Sequence, residues 1–454
     1  MATTLPAVLH LKTEEVDTPE KRVKYTVGIV GCGQEGSFYA LAFAEAGFKV
    51  TCADEDQSVI KRLSKGNIRL GDRQAEAKLK AFIRKEQINA TSDLKTAVSG
   101  SDVIIITVTQ KIDVNKSSNC SEVESACKQI GASLQKGSLI VYGGIAGLGF
   151  VGGTVKETLE NTSGLKVGED FGLAYNPDFN LFFQTALQLA DKEVTVAAND
   201  KFSLSAAAII FETLTKSVRR IPNVRMMELA VLFAAAQRDL SVALANELAM
   251  FCESAGLDYG ETVRLIEKDT CEGTAAPTIS EETNRDEAYL LLENAENLNA
   301  KLRLPMLARQ LNEDMARHAV NLTADALRSN GKTLRRARVA LLGAADPGTG
   351  AAAFVTLLVA KGAKVSRYDP YISGDEQPEI KSLAKKTLNE TLEGADCVVV
   401  LSAQEQLKRL NLKKLRAVMK FPAALIDLAG VVEPGKVEKE GFAYRGLGMG
   451  AWKK

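Results

Sequence analysis

Histidine is almost missing from this chain: its 454 residues contain two, His10 and His318. Histidine is the side chain most often used as a general base and as a metal ligand near neutral pH. A histidine base would have to be one of those two, and His318 sits in a helical pattern that gives it a solvated or helix-packing role, so histidine chemistry is largely excluded. The seven cysteines (Cys32, Cys52, Cys120, Cys127, Cys252, Cys271 and Cys397) are an odd set with no C-x-x-C pair and no Cys/His cluster at zinc spacing. The sequence thus predicts neither a disulfide framework nor a metal site. Charge of one sign is lacking too: 57 Lys and Arg balance 57 Asp and Glu, with pI near 6.8. That leaves no positive excess for nucleic acid or an anionic membrane surface. No apolar run approaches the roughly 18–20 residues that span a bilayer, and Met1 to Lys24 show no continuous signal-peptide core. The expectation is a cytoplasmic protein that binds neither nucleic acid nor membrane.

A hydrophobic content of 46% and a charged content of 25% are those of an ordinary globular chain, with ample core to bury. Two α/β regions flank a helical middle. Tyr25 to Val30 is a short β-branched run that reads as a buried strand, followed by Gly31-Cys32-Gly33-Gln34-Glu35-Gly36 and a helical stretch to Gly47. Lys49 to Ala53, Asp102 to Val108 and Ser138 to Tyr142 read as further strands of a parallel, doubly wound sheet. From Met226 to Cys252 there is no Gly or Pro, and Ala, Leu and Met predict one long helix, apolar almost all round. A second helical run covers Ala288 to Leu327, with Pro305 breaking or kinking it. Strand patterns return at Arg338, Lys364, Asp396 and Ala424. The domains expected are an N-terminal extension (1–24), in which His10 lies in a loose segment, a first α/β domain (25–222), a helical centre carrying a homodimer interface (223–330) and a second, C-terminal α/β domain (331–454).

Gly31, Gly33 and Gly36 make the G-x-G-x-x-G of a dinucleotide-binding Rossmann domain. The first glycine allows the tight turn, the second lets backbone approach a pyrophosphate, and the third lets helix pack on strand. Gln34 and Glu35 sit between them at the helix start. Asp54 ends the next strand, where an acid holds a ribose 2′-hydroxyl, which favours NAD over NADP. Thr107 and Val108, and after the later strand Gly143 and Gly144, fall at strand C-termini on the cofactor side.

This layout resembles the UDP-glucose/GDP-mannose dehydrogenase family, most of all its N-acetylhexosaminuronate branch, over about residues 25–450. The resemblance is sharpest in the long helix, where Glu228 precedes Asn246-Glu247 and Arg238-Asp239 precede Asn246-Glu247-Leu248 at the branch's intervals. Ala308-Arg309-Gln310-Leu311-Asn312, Tyr368-Asp369-Pro370-Tyr371 and Asn176-Pro177-Asp178-Phe179 resemble further motifs of the branch. The family oxidises a sugar C6 alcohol to a carboxylate in two hydride transfers. A cysteine thiolate holds the intermediates, while a lysine and an asparagine stabilise the oxyanion.

Carried over one residue at a time, that machinery is gone. The lysine position is Val231, the asparagine position Ala235 and, counted back from Asp286, the cysteine position Glu282. A serine-threonine pair falls at Gly143-Gly144, within the glycine-rich stretch Gly143 to Thr154. The C-terminal loop, Gly343 to Gly350, lacks the family's arginine and lysine. Glutamate cannot replace a thiolate, so four-electron oxidation is not expected, although Cys271 in a rebuilt loop would restore a thiol.

The expectation is one reversible hydride transfer, giving a ketone or an epimer, on a nucleotide sugar or another phosphorylated, acidic compound. Asp178 is the candidate base, with Lys111 and Glu282 as further catalytic candidates. Arg238, Asp239 and Asn246 are candidates for substrate contact; the alternative for Arg238 and Asp239 is an ion pair within the helix or between subunits, and for Asn246 a hold of the helix against the domains. The glycine-rich stretch either cradles a phosphate or folds back over the nicotinamide. A catalytically silent NAD-binding protein and a C6 dehydrogenase with an unusual loop remain open.

Overall fold

The computed structural model describes residues 8–68, 70, 72–113, 115–177, 191–267, 275–279, 285–345, 349–369, 380, 382–403, 407 and 410–450. They form two compact units, Met1–Ala234 with Tyr289–Leu298, and Ala235–Ala288 with Asn299–Lys454. The helical centre expected over 223–330 is shared between them, with the division falling inside its long helix.

The first unit is built on an eight-stranded sheet. In chain order its strands are β1 (Thr26–Val30), β2 (Lys49–Ala53), β3 (Ile88–Thr91), β4 (Val103–Ile106), β7 (Leu139–Tyr142), β8 (Gly172–Tyr175), β9 (Glu193–Ala197) and β10 (Ser217–Ile221). A small hairpin, β5 (Lys111–Ile112) and β6 (Ser118–Asn119), lies between β4 and β7. The spatial order is β10-β9-β8-β7-β4-β1-β2-β3. Every pairing in it is parallel except β8 with β9. The apolar run in β4 follows from cover on both faces: Val103 and Ile105 enter one core, Ile104 and Ile106 the other. Strands β8 to β10 were not among those expected from sequence. Three of the five residues of β10, Ser217, Arg219 and Arg220, are exposed, so this edge strand carries no apolar run to read.

The N-terminal extension is not loose in its described part. Val8, Leu11 and Val16 are buried in the first core, and Leu9 N–H bonds the Gly137 carbonyl at 3.1 Å. His10 stands edge-on to the Phe202 ring at 5.4 Å. Four apolar residues spaced through a polar stretch were enough to anchor it.

The second unit holds a five-stranded parallel sheet of β11 (Arg338–Leu342), β12 (Lys364–Tyr368), β13 (Cys397–Val400), β14 (Ala424–Asp427) and β15 (Ala443–Gly446), in the order β12-β11-β13-β14-β15. The long helix runs from Val224 to Ala255, 32 residues. The second helical run is two helices, Arg285–Asn297 and Arg303–Ser329. Pro305 neither breaks nor kinks it: the interruption lies before Arg303, and Pro305 occupies the first turn, where its missing N–H costs no helical bond.

Candidate functional site

Each glycine of the fingerprint meets its own steric demand. Gly31 has φ +96°, and a Cβ there would lie 2.8 Å from Thr107 Oγ1, whose hydroxyl donates to the Gly31 carbonyl at 2.6 Å. A Cβ on Gly36 would collide with that same Gly31 carbonyl. Gly33 is the opposite case: a Cβ there would meet nothing within 4 Å, so this face of the loop is open. Gly33 is the N-cap of the helix Gln34–Glu45, with Gln34 exposed and Glu35 half-buried in its first turn. An anion placed before Gly33 faces the free N–H groups and positive end of that helix.

Asp54 is held in place by its neighbours. One carboxylate oxygen accepts the Cys32 N–H at 2.7 Å and the other the Asp56 N–H at 2.9 Å. A cleft of about 440 Å³ opens beside it, bordered by Gly31, Asp54, Asp56, Val108 and Glu122. The residues present fit a dinucleotide: an open glycine turn for the pyrophosphate and a fixed carboxylate one strand away for a ribose diol. The added acids, Glu55 and Asp56, would repel a 2′-phosphate.

Beyond β7 the glycine-rich stretch is pinned by side chains. Ile145 N–H donates to Thr109 Oγ1 at 3.1 Å, Gly147 N–H to Gln110 Oε1 at 2.9 Å and Leu148 N–H to Asn294 Oδ1 at 3.1 Å. The Glu228 carboxylate then accepts from Gly149 at 2.5 Å and Val151 at 2.8 Å. These five N–H groups are taken, which removes them from the phosphate-cradling alternative. Glu228 is wholly buried, and burial pushes its carboxyl up to about 7, against the pull of the two backbone donors and Arg225. The start of the stretch is as tight: a Cβ on Gly143 would meet the Tyr39 hydroxyl at 2.9 Å, and one on Gly144 the Val108 carbonyl at 2.8 Å. Tyr39 in turn lies 2.8 Å from Asn176 Oδ1, and Asn176 Nδ2 donates to the Thr195 carbonyl at 2.7 Å.

The other candidates are dispersed. Lys111 pairs with Glu122 at 2.7 Å, both more than half exposed. Val231 and Ala235, at the positions the resemblance gives to lysine and asparagine, are buried. In the second unit Asp239 accepts from Arg309 at 2.8 Å with both side chains buried, and Asn312 Nδ2 donates to Asp239 Oδ1 at 2.8 Å. Burial raises the Asp239 carboxyl, with Arg309 opposing. Asn246 Nδ2 donates to Asn312 Oδ1 at 3.0 Å, and Asn246 Oδ1 accepts the Thr278 N–H at 2.8 Å. Asp239 and Asn246 are thus parts of one buried polar network, while Arg238 beside them is half-buried. His318 packs between helices, 2.9 Å from Glu253. Asp178, Glu282 and Cys271 lie outside the described residues. Sequence reasoning used Glu228 only as a marker of register and missed it, with Gln110 and Asn294, as the holders of the glycine-rich stretch.

Three domain comparisons bear on this arrangement. Residues 25–215 match the NAD binding domain of the UDP-glucose/GDP-mannose dehydrogenase family, 225–314 its central domain and 348–434 its UDP binding domain. The chain belongs to the UDP-glucose/GDP-mannose dehydrogenase family. The dinucleotide cleft lies within the residues that match the family's NAD binding domain. A UDP-N-acetyl-D-mannosamine dehydrogenase of Pyrococcus horikoshii is 24% identical over 433 residues, 93% of this chain and 99% of the relative. A UDP-glucose 6-dehydrogenase of Rhizobium meliloti is 25% identical over 440 residues, 93% of this chain and 99% of that one. Among solved structures, the Pyrococcus horikoshii UDP-D-ManNAc dehydrogenase superposes with a TM-score of 0.80 at 24% identity, covering 94% of this chain and all of the other. A UDP-glucose dehydrogenase of Pyrobaculum islandicum gives 0.76 at 20% identity, covering 93% and 98%. The family's architecture runs through the chain, and no helix among the described residues is long and apolar enough to cross a membrane.

Proposed function

We propose that this member of the family catalyses a single reversible hydride transfer at a secondary alcohol of a nucleotide sugar, or of another phosphorylated, acidic compound, in place of four-electron C6 oxidation. The observation that carries this is the burial of Val231 and Ala235, at 1% and 0% exposure, where the family's chemistry calls for a lysine and an asparagine. Neither side chain can polarise a carbonyl or stabilise an oxyanion, and their apolar surroundings leave no room for an ammonium group without large desolvation cost. NAD, when bound, supplies the hydride acceptor. Gly31, Gly33, Gln34, Glu35, Gly36 and Asp54 hold it, with Thr107, Val108, Gly143 and Gly144 lining its far end.

On the substrate side, Asp178 takes the hydroxyl proton as the alcohol carbon loses hydride. Lys111 reaches a substrate phosphate, since its exposed pairing with Glu122 is weak and readily exchanged. Glu282 is a further catalytic candidate and Arg238 a candidate for substrate contact, while Asp239 and Asn246 fix the long helix. The chain works as a homodimer through the long helix, whose Leu244, Leu248 and Phe251 are exposed apolar residues at helical spacing.

The test is incubation of purified protein with NAD and a panel of nucleotide sugars, with products weighed by mass spectrometry. Loss of two hydrogens, or an isomer of shifted retention, is the expected result. A product that also gains one oxygen would mean a thiol has been restored and single transfer is wrong. Measurable NAD binding without turnover of any sugar would favour the silent binding protein.

A further inference from the structure

Glu228 is a buried carboxylate that touches no solvent, yet both of its oxygens are used on one short piece of backbone. Gly149 and Val151 donate to it at 2.5 and 2.8 Å, across 79 and 77 positions of sequence. The stretch they belong to leaves β7 packed against Tyr39 and the Val108 carbonyl, and Val108 itself borders the dinucleotide cleft together with Asp54. Asp54 marks the adenosine side of the cleft, so the β4 and β7 side takes the nicotinamide half. Backbone with five glycines from Gly143 to Gly152 has little intrinsic preference for one shape, and fixing it costs more entropy than fixing a stretch with few glycines.

We infer that Glu228 is a positioning residue for the cofactor: its carboxylate holds the glycine-rich stretch in the shape that receives the nicotinamide half of NAD, in the way a bound anion would order an amide nest. Gln110 and Asn294 fix the middle of the stretch through Gly147 and Leu148, and Glu228 fixes the end, where Gly149 has φ +83° and the chain turns into the helical segment from Val151. The charge matters as well as the reach. Above about pH 7, where Glu228 is ionised, its two N–H bonds are charge-assisted and stronger than those a neutral amide oxygen accepts. This inference rests on the cleft being the NAD site and adds a residue that never contacts the cofactor.

The test compares two ligands on the full chain by titration calorimetry: NAD, and ADP-ribose, which lacks the nicotinamide. In Glu228→Gln one N–H loses its acceptor, and the NAD dissociation constant should rise by about tenfold while that of ADP-ribose stays within about twofold. Glu228→Asp keeps the charge with a shorter reach and should recover part of the loss. Equal weakening of both ligands would mean a purely structural role and would overturn the inference, as would unchanged NAD binding. Wild-type protein that binds neither ligand would overturn the cofactor site itself. Should Glu228→Gln fail to fold, hydrogen exchange on the wild type decides: the amides of 145–151 should be protected before NAD is added, and protection appearing only with NAD would refute a pre-built stretch.

Discussion

Arg309 donates to the Asp239 carboxylate across 2.8 Å, with the two side chains only 5% and 1% exposed. Asn312 adds bonds to the Asp239 carbonyl and to the same carboxylate oxygen. A carboxylate so enclosed serves the helix packing of the second unit. Removing one partner leaves the other charged and buried, so Arg309→Met should cost about 3–5 kcal/mol, while Asp239→Leu with Arg309→Met together should cost much less than the two singly. Denaturant melts of the three variants check this. A double variant as unstable as the sum of the singles would show that the pair is not coupled.

Glu228 gives a pH dependence whose sign is opposite to that of a salt-bridged carboxylate. Burial raises it from the usual 4.5 to about 7 in the folded chain. Between those values the folded protein keeps a proton that the unfolded chain has released. Stability must therefore fall as pH rises from about 4.5 to about 7, by about 3 kcal/mol from this group, and level off above. Glutamine stays neutral throughout, so Glu228→Gln should gain stability relative to the wild type at pH 8 compared with pH 5. Thermal melts at both pH values measure the difference, and an identical difference at each would show that Glu228 does not titrate in this range. A carboxylate kept at such a cost suits a functional position better than a packing one.

The parts legible in sequence are those set by neighbours a few residues away. The fingerprint could be read because Gly31, Gly33 and Gly36 answer to sterics within one turn, and β4 because a strand covered on both faces must be apolar throughout. The hold of Glu228 on Gly149 spans 79 residues and leaves no periodic trace. The same is true of Asn294 on Leu148, 146 residues apart. Strand β10 was hidden because an edge strand with Arg219 and Arg220 facing solvent carries no apolar signal. The buried positions Val231 and Ala235 were readable only as departures from the family's pattern.

Two glycines of one motif should fail in different ways. Alanine at Gly36 forces its methyl onto the Gly31 carbonyl, so Gly36→Ala should lower stability by about 1–3 kcal/mol and weaken NAD binding with it. Alanine at Gly33 meets no protein atom, and its φ of −64° suits any residue. Gly33→Ala should therefore melt like the wild type and still bind NAD about tenfold or more weakly, because its methyl occupies the approach of the pyrophosphate. A melting scan beside an NAD titration separates the two. If Gly33→Ala binds NAD normally, the pyrophosphate does not lie before Gly33.

The long helix gives the last prediction. Met226, Phe233, Leu244, Leu248 and Phe251 are 44–68% exposed, far more apolar surface than a lone helix face needs. Leu244, Leu248 and Phe251 follow i, i+4, i+7 spacing on a single face, the pattern of a helix that packs against another. Opposite them on the same helix Ala245, Asn246 and Ala249 are buried, so the exposed face is not a misplaced core face. A second copy of the same helix would cover it. Leu244→Glu with Phe251→Glu changes no buried contact and should leave folding intact while placing charges in the shared face. Light scattering on a sizing column should then read about half the wild-type mass. A wild-type chain that is already monomeric at micromolar concentration would rule the dimer out.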